Sequence, residues 1–488
     1  MIRISGTQAV LFCLLLQAAI SWEWQLHLQN LLGTDAYYLI VQAQAVLTTG
    51  SLKIPDGDPI PFLMAGIMRM GLTGEAAFQI TVAVIHGLMI GLLVRFLLKQ
   101  IWGLGAVLGC FALVVGESIG LYHVFEFPKL SLALVTLFAG IAVYRTTAVS
   151  KIASIGLFAG ATLIHPAVWP VAVLSLGFLA YSDGRFNKYH RAVHATCVGV
   201  TVLSASYLLL RQGNGILDRY TEASGGPGLL VFMSRSNVPR FLQVEVFLVI
   251  VLLVGALCIG LIKRNYAQVV VYGSLLLLTM LPTSVNEMYG LGERMVLVVA
   301  IAALPIIMME ATRTPAAGAS GALNLKSGAV ALATLCVTAF WVPDVLANAL
   351  PKVDYAKLKY IVDKVETRKP EMLIAQRSLS FYYTALTSRD AFIFDPDPDW
   401  DKRKIWRVVF DVNVNEILYF APAYCSEEPS LTESIPRTDA VLIREDCWET
   451  FRKGVSKDDL PGLWDRVWDD EENPSKMRPS FLKNRYSS

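Results

Sequence analysis

The residues best placed to do chemistry are a carboxylate followed by two tyrosines, Asp35-Ala36-Tyr37-Tyr38, just past the first hydrophobic stretch of the chain. A carboxylate held at a membrane surface can accept a proton from a substrate hydroxyl. Asp35 is equally suited to capping the helix that follows, a contribution of about 1 kcal/mol. A second acid, Glu126, lies in Tyr122-His123-Val124-Phe125-Glu126-Phe127-Pro128-Lys129, where it either meets a substrate or metal or pairs with Lys129. Arg294, in Gly292-Glu293-Arg294, enters a late apolar stretch; its guanidinium can grip an anion with two parallel hydrogen bonds or simply snorkel to the interface. Lys129 and Arg240 are alternatives for the same anion. His165, in Leu163-Ile164-His165-Pro166, either contacts a ligand or satisfies a helix turn. Glu117 falls inside an apolar stretch, where facing lipid is costly, so it is expected to face a cavity.

These residues are carried by a chain that is 54% hydrophobic and 17% charged, with mean hydropathy +0.50 over 488 residues. An ordinary water-soluble domain has too much polar surface for such a composition. The sequence therefore predicts an integral membrane protein. Apolar runs long enough for a roughly 30 Å hydrocarbon layer fall near 7–22, 76–98, 102–120, 129–146, 192–210, 242–262, 266–283, 294–310 and 328–346. The run from Ile152 to Tyr181 is too long for one helix and is divided at His165-Pro166, because proline discourages helix at the residue before it. Eleven spans result, with the two ends of the chain on opposite sides.

Lys and Arg cluster in one set of connections: Arg95 and Lys99, Arg145 and Lys151, Arg185, Lys188 and Arg191, Lys263 and Arg264, and Arg313 with Lys326, on the side of Arg3. That side is expected to be cytoplasmic. The opposite loops hold Glu23, Asp35, Asp56, Asp58, Glu75, Glu126, Asp218, Glu222, Glu287 and Glu293, an acidic extracytoplasmic face. No small-residue cleavage site precedes Trp22-Glu23-Trp24, so the first run is expected to stay as an anchoring helix. A bacterial inner membrane is the expected setting, with the N-terminus inside and the tail outside.

The transmembrane catalytic region is thus expected over 1–348 and a soluble α/β domain over 349–488, where short apolar runs alternate with turn-rich polar ones. Cys13, Cys110, Cys197, Cys258 and Cys336 fall in apolar runs as packing residues. Cys425 and Cys447 are the pair in the tail, and an extracytoplasmic tail permits a disulfide between them. No Cys/His pattern has zinc spacing. Asp395-Pro396-Asp397-Pro398-Asp399 is expected to be a solvated loop, and Gly225-Gly226-Pro227-Gly228 lacks the lysine of a phosphate-binding loop.

The first external loop, 23–75, is too long for a simple connection and must carry structure. Tyr38, Leu39, Val41, Ala45 and Val46 recur at helical spacing, which predicts a surface helix over 36–49 lying along the membrane interface.

A first span, an external carboxylate, an interfacial helix beginning Asp35-Ala36-Tyr37-Tyr38, the turn Gly50-Ser51-Leu52-Lys53-Ile54-Pro55-Asp56 and a second span about forty residues later resemble the GT-C superfamily of polytopic glycosyltransferases. That superfamily includes protein O-mannosyltransferases, the aminoarabinose transferase of lipid A and the catalytic subunit of oligosaccharyltransferase. Leu163-Ile164-His165-Pro166 and Gly292-Glu293-Arg294 fall where the resemblance expects them, and the resemblance covers roughly residues 1–346. No W-W-D-type motif follows the spans, which argues against transfer to Asn sequons.

The resemblance implies inverting transfer of a sugar from a polyprenyl-phosphate or diphosphate carrier to an extracytoplasmic glycan, lipid or protein. Asp35 would be the base, with Glu126 as second acid. Arg294, or else Lys129 or Arg240, would hold the carrier phosphate, and Tyr37, Tyr38, Glu117, His165 and Glu293 would line the substrate cavity. A divalent cation such as Mg or Mn is left open: Asp35, Glu126, Asp56 and Asp58 offer oxygens, and no metal ligand is assigned. A transporter or flippase of lipid-linked sugar, and a polysaccharide polymerase or ligase, are the alternatives. The first would show inverted repeats, which are not evident, and the second usually has its largest external loop late in the chain.

Overall fold

The computed structural model describes residues 36–53, 58–97, 104–145, 147–182, 227–234, 240–281, 291–311, 355–375, 377–387, 391–392, 401–410, 432–435 and 440–454, with positions 11, 15 and 238. The expected spans near 7–22, 192–210 and 328–346 lie outside the described residues. The chain divides into two units, residues 1–33 with 49–352, and residues 34–48 with 353–488.

The first unit is built from apolar helices. After α1 (Ala36–Thr49), which belongs to the second unit, come α2 (Ile60–Met68), α3 (Gly74–Leu97), α4 (Leu104–Glu126), α5 (Pro128–Val143), α6 (Ala148–Ile164) and α7 (Trp169–Ser182). They are followed by α8 (Gly228–Ser234), α9 (Arg240–Ile262), α10 (Tyr266–Leu278) and α11 (Leu291–Ala311). Among the described residues, α3 and α9 are long and apolar enough to cross a membrane; five further apolar helices are shorter.

Proline sets two of the breaks. Phe127, with φ −138° and ψ 62°, ends α4 so that α5 can start on Pro128, whose missing N–H costs nothing in a first helical turn. His165 is extended (φ −146°, ψ 116°), and Pro166 opens a short 3-10 turn before α7, the division that the sequence predicts.

Helix α11 lies at the centre of this unit, packed on α3, α4, α5 and α7 to α10, and every residue from Met295 to Ile307 with a described side chain is buried. Its Pro305 is accommodated within the helix. Close approach of α3 and α4 depends on Gly116 and Gly120, one turn apart: a Cβ at Gly116 would lie 2.5 Å from Leu93 Cδ1, and one at Gly120 3.0 Å from Met89 Sδ. Ser154 of α6 donates to the Gly140 carbonyl of α5 at 2.7 Å, joining those two helices. By contrast α9 leaves Val244, Phe247, Val251, Val254, Ile259 and Ile262 exposed.

The second unit is an α/β domain. Its five-stranded sheet has the order β2-β1-β3-β5-β4, with β1 Met372–Ile374, β2 Ala391–Phe392, β3 Ile405–Phe410, β4 Thr432–Ser434 and β5 Ala440–Arg444. Strand β1 runs parallel to β2 and β3, while β3–β5 and β5–β4 are antiparallel, with Val408 opposite Leu442. Helices α12 (Tyr355–Thr367), α13 (Arg377–Thr387) and α14 (Glu445–Gly454) complete it. Ile361, Val365, Leu373, Tyr383, Val408 and Leu442 form its core.

Helix α1 forms where its apolar spacing predicts, but its partner differs from expectation. Instead of a free interfacial face, it packs on α13: the Tyr37 and Tyr382 rings meet edge-on at 4.7 Å, Tyr38 and Phe381 at 5.1 Å, and Gln44 Nε2 donates to the Ala385 carbonyl. Leu39, Ile40, Val41, Ala43 and Val46 are buried, more of the helix circumference than a single membrane-facing stripe requires. The second unit thus joins residues 353–488 to a segment from near the N-terminus, residues 34–48.

Candidate functional site

The corner between α4 and α5 gathers several of the polar residues that sequence analysis singles out. Glu126, the last residue of α4, is buried; Lys129, in the first turn of α5, is half-buried. Between them the Phe127 ring carries the guanidinium of Arg294 from the first turn of α11, 5.2 Å from the ring centre. A cation over an aromatic face keeps its charge while losing part of its water shell. One turn back along α4, the fully buried His123 ring tilts against Phe127 at 5.4 Å, and its Nδ1 lies 2.6 Å from Ser131 Oγ.

The break between α6 and α7 supplies His165. Its Nδ1 accepts from the Ala167 N–H at 3.2 Å, so in the neutral ring the proton sits on Nε2, which is left as a donor. Burial, then the positive charges of Lys129 and Arg294, hold its pKa well below the usual imidazole range. The ring is therefore neutral at physiological pH and can donate without adding charge. Lys129 and Arg294, named separately from the sequence, thus both act on His165, and His123 feels both His165 and Arg294. Two permanent cations, a neutral imidazole N–H and one buried acid make an arrangement suited to an anion with a hydroxyl or sugar beside it.

His123 and Ser131 are not among the candidates read from the sequence. A signal for the first exists, since His123 stands one helical turn before Phe127 in the motif already noted; its pairing with Ser131 crosses a proline corner that helical spacing does not describe.

The remaining candidates lie elsewhere. Glu117 is buried mid-way along α4, where its Oε2 is 3.5 Å from His86 Nε2 of α3. Arg240 is exposed at the start of α9 and donates to Gln243 Oε1 at 3.2 Å. Tyr37 and Tyr38 belong to the second unit. Asp35 and Asp56, and the side chain of Glu293, lie outside the described residues. Asp58 is buried, with Oδ1 accepting the Ile60 N–H at 2.9 Å as a turn at the start of α2. Among the described residues no three His, Cys, Asp or Glu side chains converge as a metal site. Cys447 is disulfide-bonded, and Cys425 lies outside the described residues.

Compared with known protein families and with curated proteins, the chain matches none.

Proposed function

We propose that this protein is a polytopic membrane glycosyltransferase of about eleven spans, moving a sugar with inversion from a polyprenyl-phosphate carrier to an extracytoplasmic glycan, lipid or protein. The observation that carries this reading is the Arg294 guanidinium resting over Phe127, the residue between Glu126 and Pro128-Lys129, with the charges of both Lys129 and Arg294 acting on His165. A lipid-linked phosphate needs cationic donors at the membrane boundary, and a transfer reaction needs them where the leaving phosphate gains charge.

Arg294 binds the carrier phosphate, Lys129 adds a point charge, and His165 donates its Nε2–H. Asp35 takes the proton of the acceptor hydroxyl, and Glu126 orients the acceptor. The exposed apolar face of α9 supports membrane insertion, because a patch of that kind is a liability in water. The disulfide at Cys447 supports a tail outside the cytoplasm. The setting that fits is a bacterial inner membrane with its acidic loops facing outward.

The test is transfer of radiolabelled sugar from synthetic polyprenyl-phosphate donors by membranes containing the wild-type chain, Asp35→Asn or Arg294→Ala, with expression and folding checked in parallel. Wild-type transfer lost in Asp35→Asn, which retains capping ability, supports the assigned base. Undiminished activity in that variant reduces Asp35 to a cap and moves the role to Glu126. Absence of transfer from every donor sinks the reading and favours a lipid-linked sugar transporter, for which the mid-helix His86–Glu117 pair is the supporting observation.

A further inference from the structure

Helix α2 is apolar on two sides. Ile60, Pro61, Met64 and Ala65 are buried, and the helix packs on α3. Phe62 and Leu63 instead stand 47% and 49% exposed, and in the turn that follows Met70 is 73% exposed, with Leu72 exposed as well. From Ile60 to Thr73 the chain has one charged residue, Arg69, and it too is exposed.

Local hydrogen bonds hold α2 beside the start of α3. The Met70 N–H donates to the Ile67 carbonyl at 3.0 Å and the Gly71 N–H to the Met68 carbonyl at 2.9 Å, while Gly71 takes a φ of +89° that a side chain would oppose. Thr73 Oγ1 then accepts the Ala76 N–H at 3.2 Å as α3 begins.

The charges of α3 set the depth of that start. Glu75 stands in its first turn and Arg95 in its last, with no Asp, Glu, Lys or Arg between them. At 1.5 Å per residue the two are ~30 Å apart along the helix, the thickness of the hydrocarbon layer. Glu75 thus marks one boundary, and α2 is tied to it. A helix of 9 residues reaches ~14 Å, so α2 does not cross. A short apolar helix is either buried in a core or lies in the interface or one leaflet, and the exposure of Phe62 and Leu63 excludes the first. Apart from Arg69, the exposed side chains from Phe62 to Leu72 carry no hydroxyl, amide or charge, whereas a protein partner would be met with hydrogen bonds.

We propose that α2 and the turn to Thr73 form a lipid-binding element of the extracytoplasmic leaflet, with Phe62, Leu63, Met70 and Leu72 among acyl chains and Arg69 on a headgroup phosphate. A long basic side chain reaches from an apolar surface to the headgroups at little cost. The interfacial role that apolar spacing predicts for α1 falls instead on α2. The inference rests on the membrane reading above and is independent of sugar transfer.

Photo-crosslinking of the full chain tests this. Photo-leucine and photo-methionine, close in shape to their parents, are incorporated throughout, and the protein is placed in nanodiscs of phosphatidylcholine with phosphatidylglycerol. Irradiation should leave phospholipid adducts on Leu63, Met70 and Leu72 and none on Met64, which is 0% exposed. Reaction with water alone at the first three, or crosslinks there to a second copy of the chain, overturns the lipid-binding element. At Met70 the anionic lipid should be enriched about fivefold over its share of the mixture, and Arg69→Gln should abolish the enrichment. No enrichment, or enrichment unchanged in Arg69→Gln, overturns the headgroup contact. Alkaline extraction of native membranes separates the two readings: a chain released by the wash overturns membrane insertion, whereas a retained chain without these adducts overturns the α2 element alone.

Discussion

Arg294 of α11 rests its guanidinium over the ring of Phe127, 5.2 Å from the centre, although Phe127 lies in the break between α4 and α5, far away in the chain. Phe127 is also the residue that Pro128 forces out of helical geometry, so one local steric constraint both turns the backbone and presents the aromatic face. The charge of Arg294 is thereby fixed at the corner occupied by Glu126 and Lys129.

Replacing Arg294 with Lys keeps the charge but removes the planar fork. Under the proposed function the variant should raise the KM for polyprenyl-phosphate donor by roughly 10- to 100-fold, the equivalent of about 1.5–3 kcal/mol for hydrogen bonds to a charged group. Steady-state kinetics against donor concentration measure it, and an unchanged KM would remove Arg294 from the phosphate site.

His165 carries a stability signature. Its folded pKa is depressed to about 3 from an ordinary 6.5 by burial and then by Lys129 and Arg294, so between those values the unfolded chain binds the extra proton. Stability therefore falls as pH drops below 6.5. His165→Gln, which cannot titrate, should lose less stability over the same interval; thermal unfolding in detergent at neutral and mildly acidic pH reads the difference.

In the tail domain Arg407 and Glu445 are both buried and joined by two hydrogen bonds, of 2.8 and 2.9 Å, with Arg407 also 5.3 Å over the Trp448 ring. Removing one partner leaves an unpaired buried charge. Glu445→Leu alone should cost about 3–5 kcal/mol, and adding Arg407→Met should recover much of it. Denaturant melts followed by tail fluorescence test this; equal destabilisation in the single and double variants would contradict the assignment.

Docking of α1 onto α13 is measurable as coupling between Tyr37 and Tyr382. A double-mutant cycle with Tyr37→Leu and Tyr382→Leu should return about 0.5–1.5 kcal/mol for the edge-on pair. Additive effects would mean that the two rings do not support each other.

Several features were legible in the residues alone because their causes are local. Pro166 and Pro128 break helices by steric exclusion acting on one neighbouring residue, and the apolar spacing over 36–49 specifies a helix through i, i+3 and i+4 neighbours. The alternation of short apolar runs in the tail announced an α/β domain. Glu126 and Lys129 are visible together because three positions separate them.

What only the tertiary structure decided is which of these surfaces meet. Amphipathic spacing makes an apolar face but does not distinguish lipid from protein, so the partner of α1 became evident only when Tyr37 and Tyr38 met Tyr382 and Phe381. Arg294 and His165 could each be chosen for their chemistry, yet their action on one another depends on α11 passing through the centre of the helices and bringing its first turn to the α4–α5 corner. Glu117 was expected to face a cavity, and its neighbour proved to be His86, because Gly116 and Gly120 let α3 approach that side of α4. Local sterics act over a few residues, whereas a polar site is assembled by close packing between segments as far apart in the chain as Phe127 and Arg294, and sequence spacing carries no record of that contact.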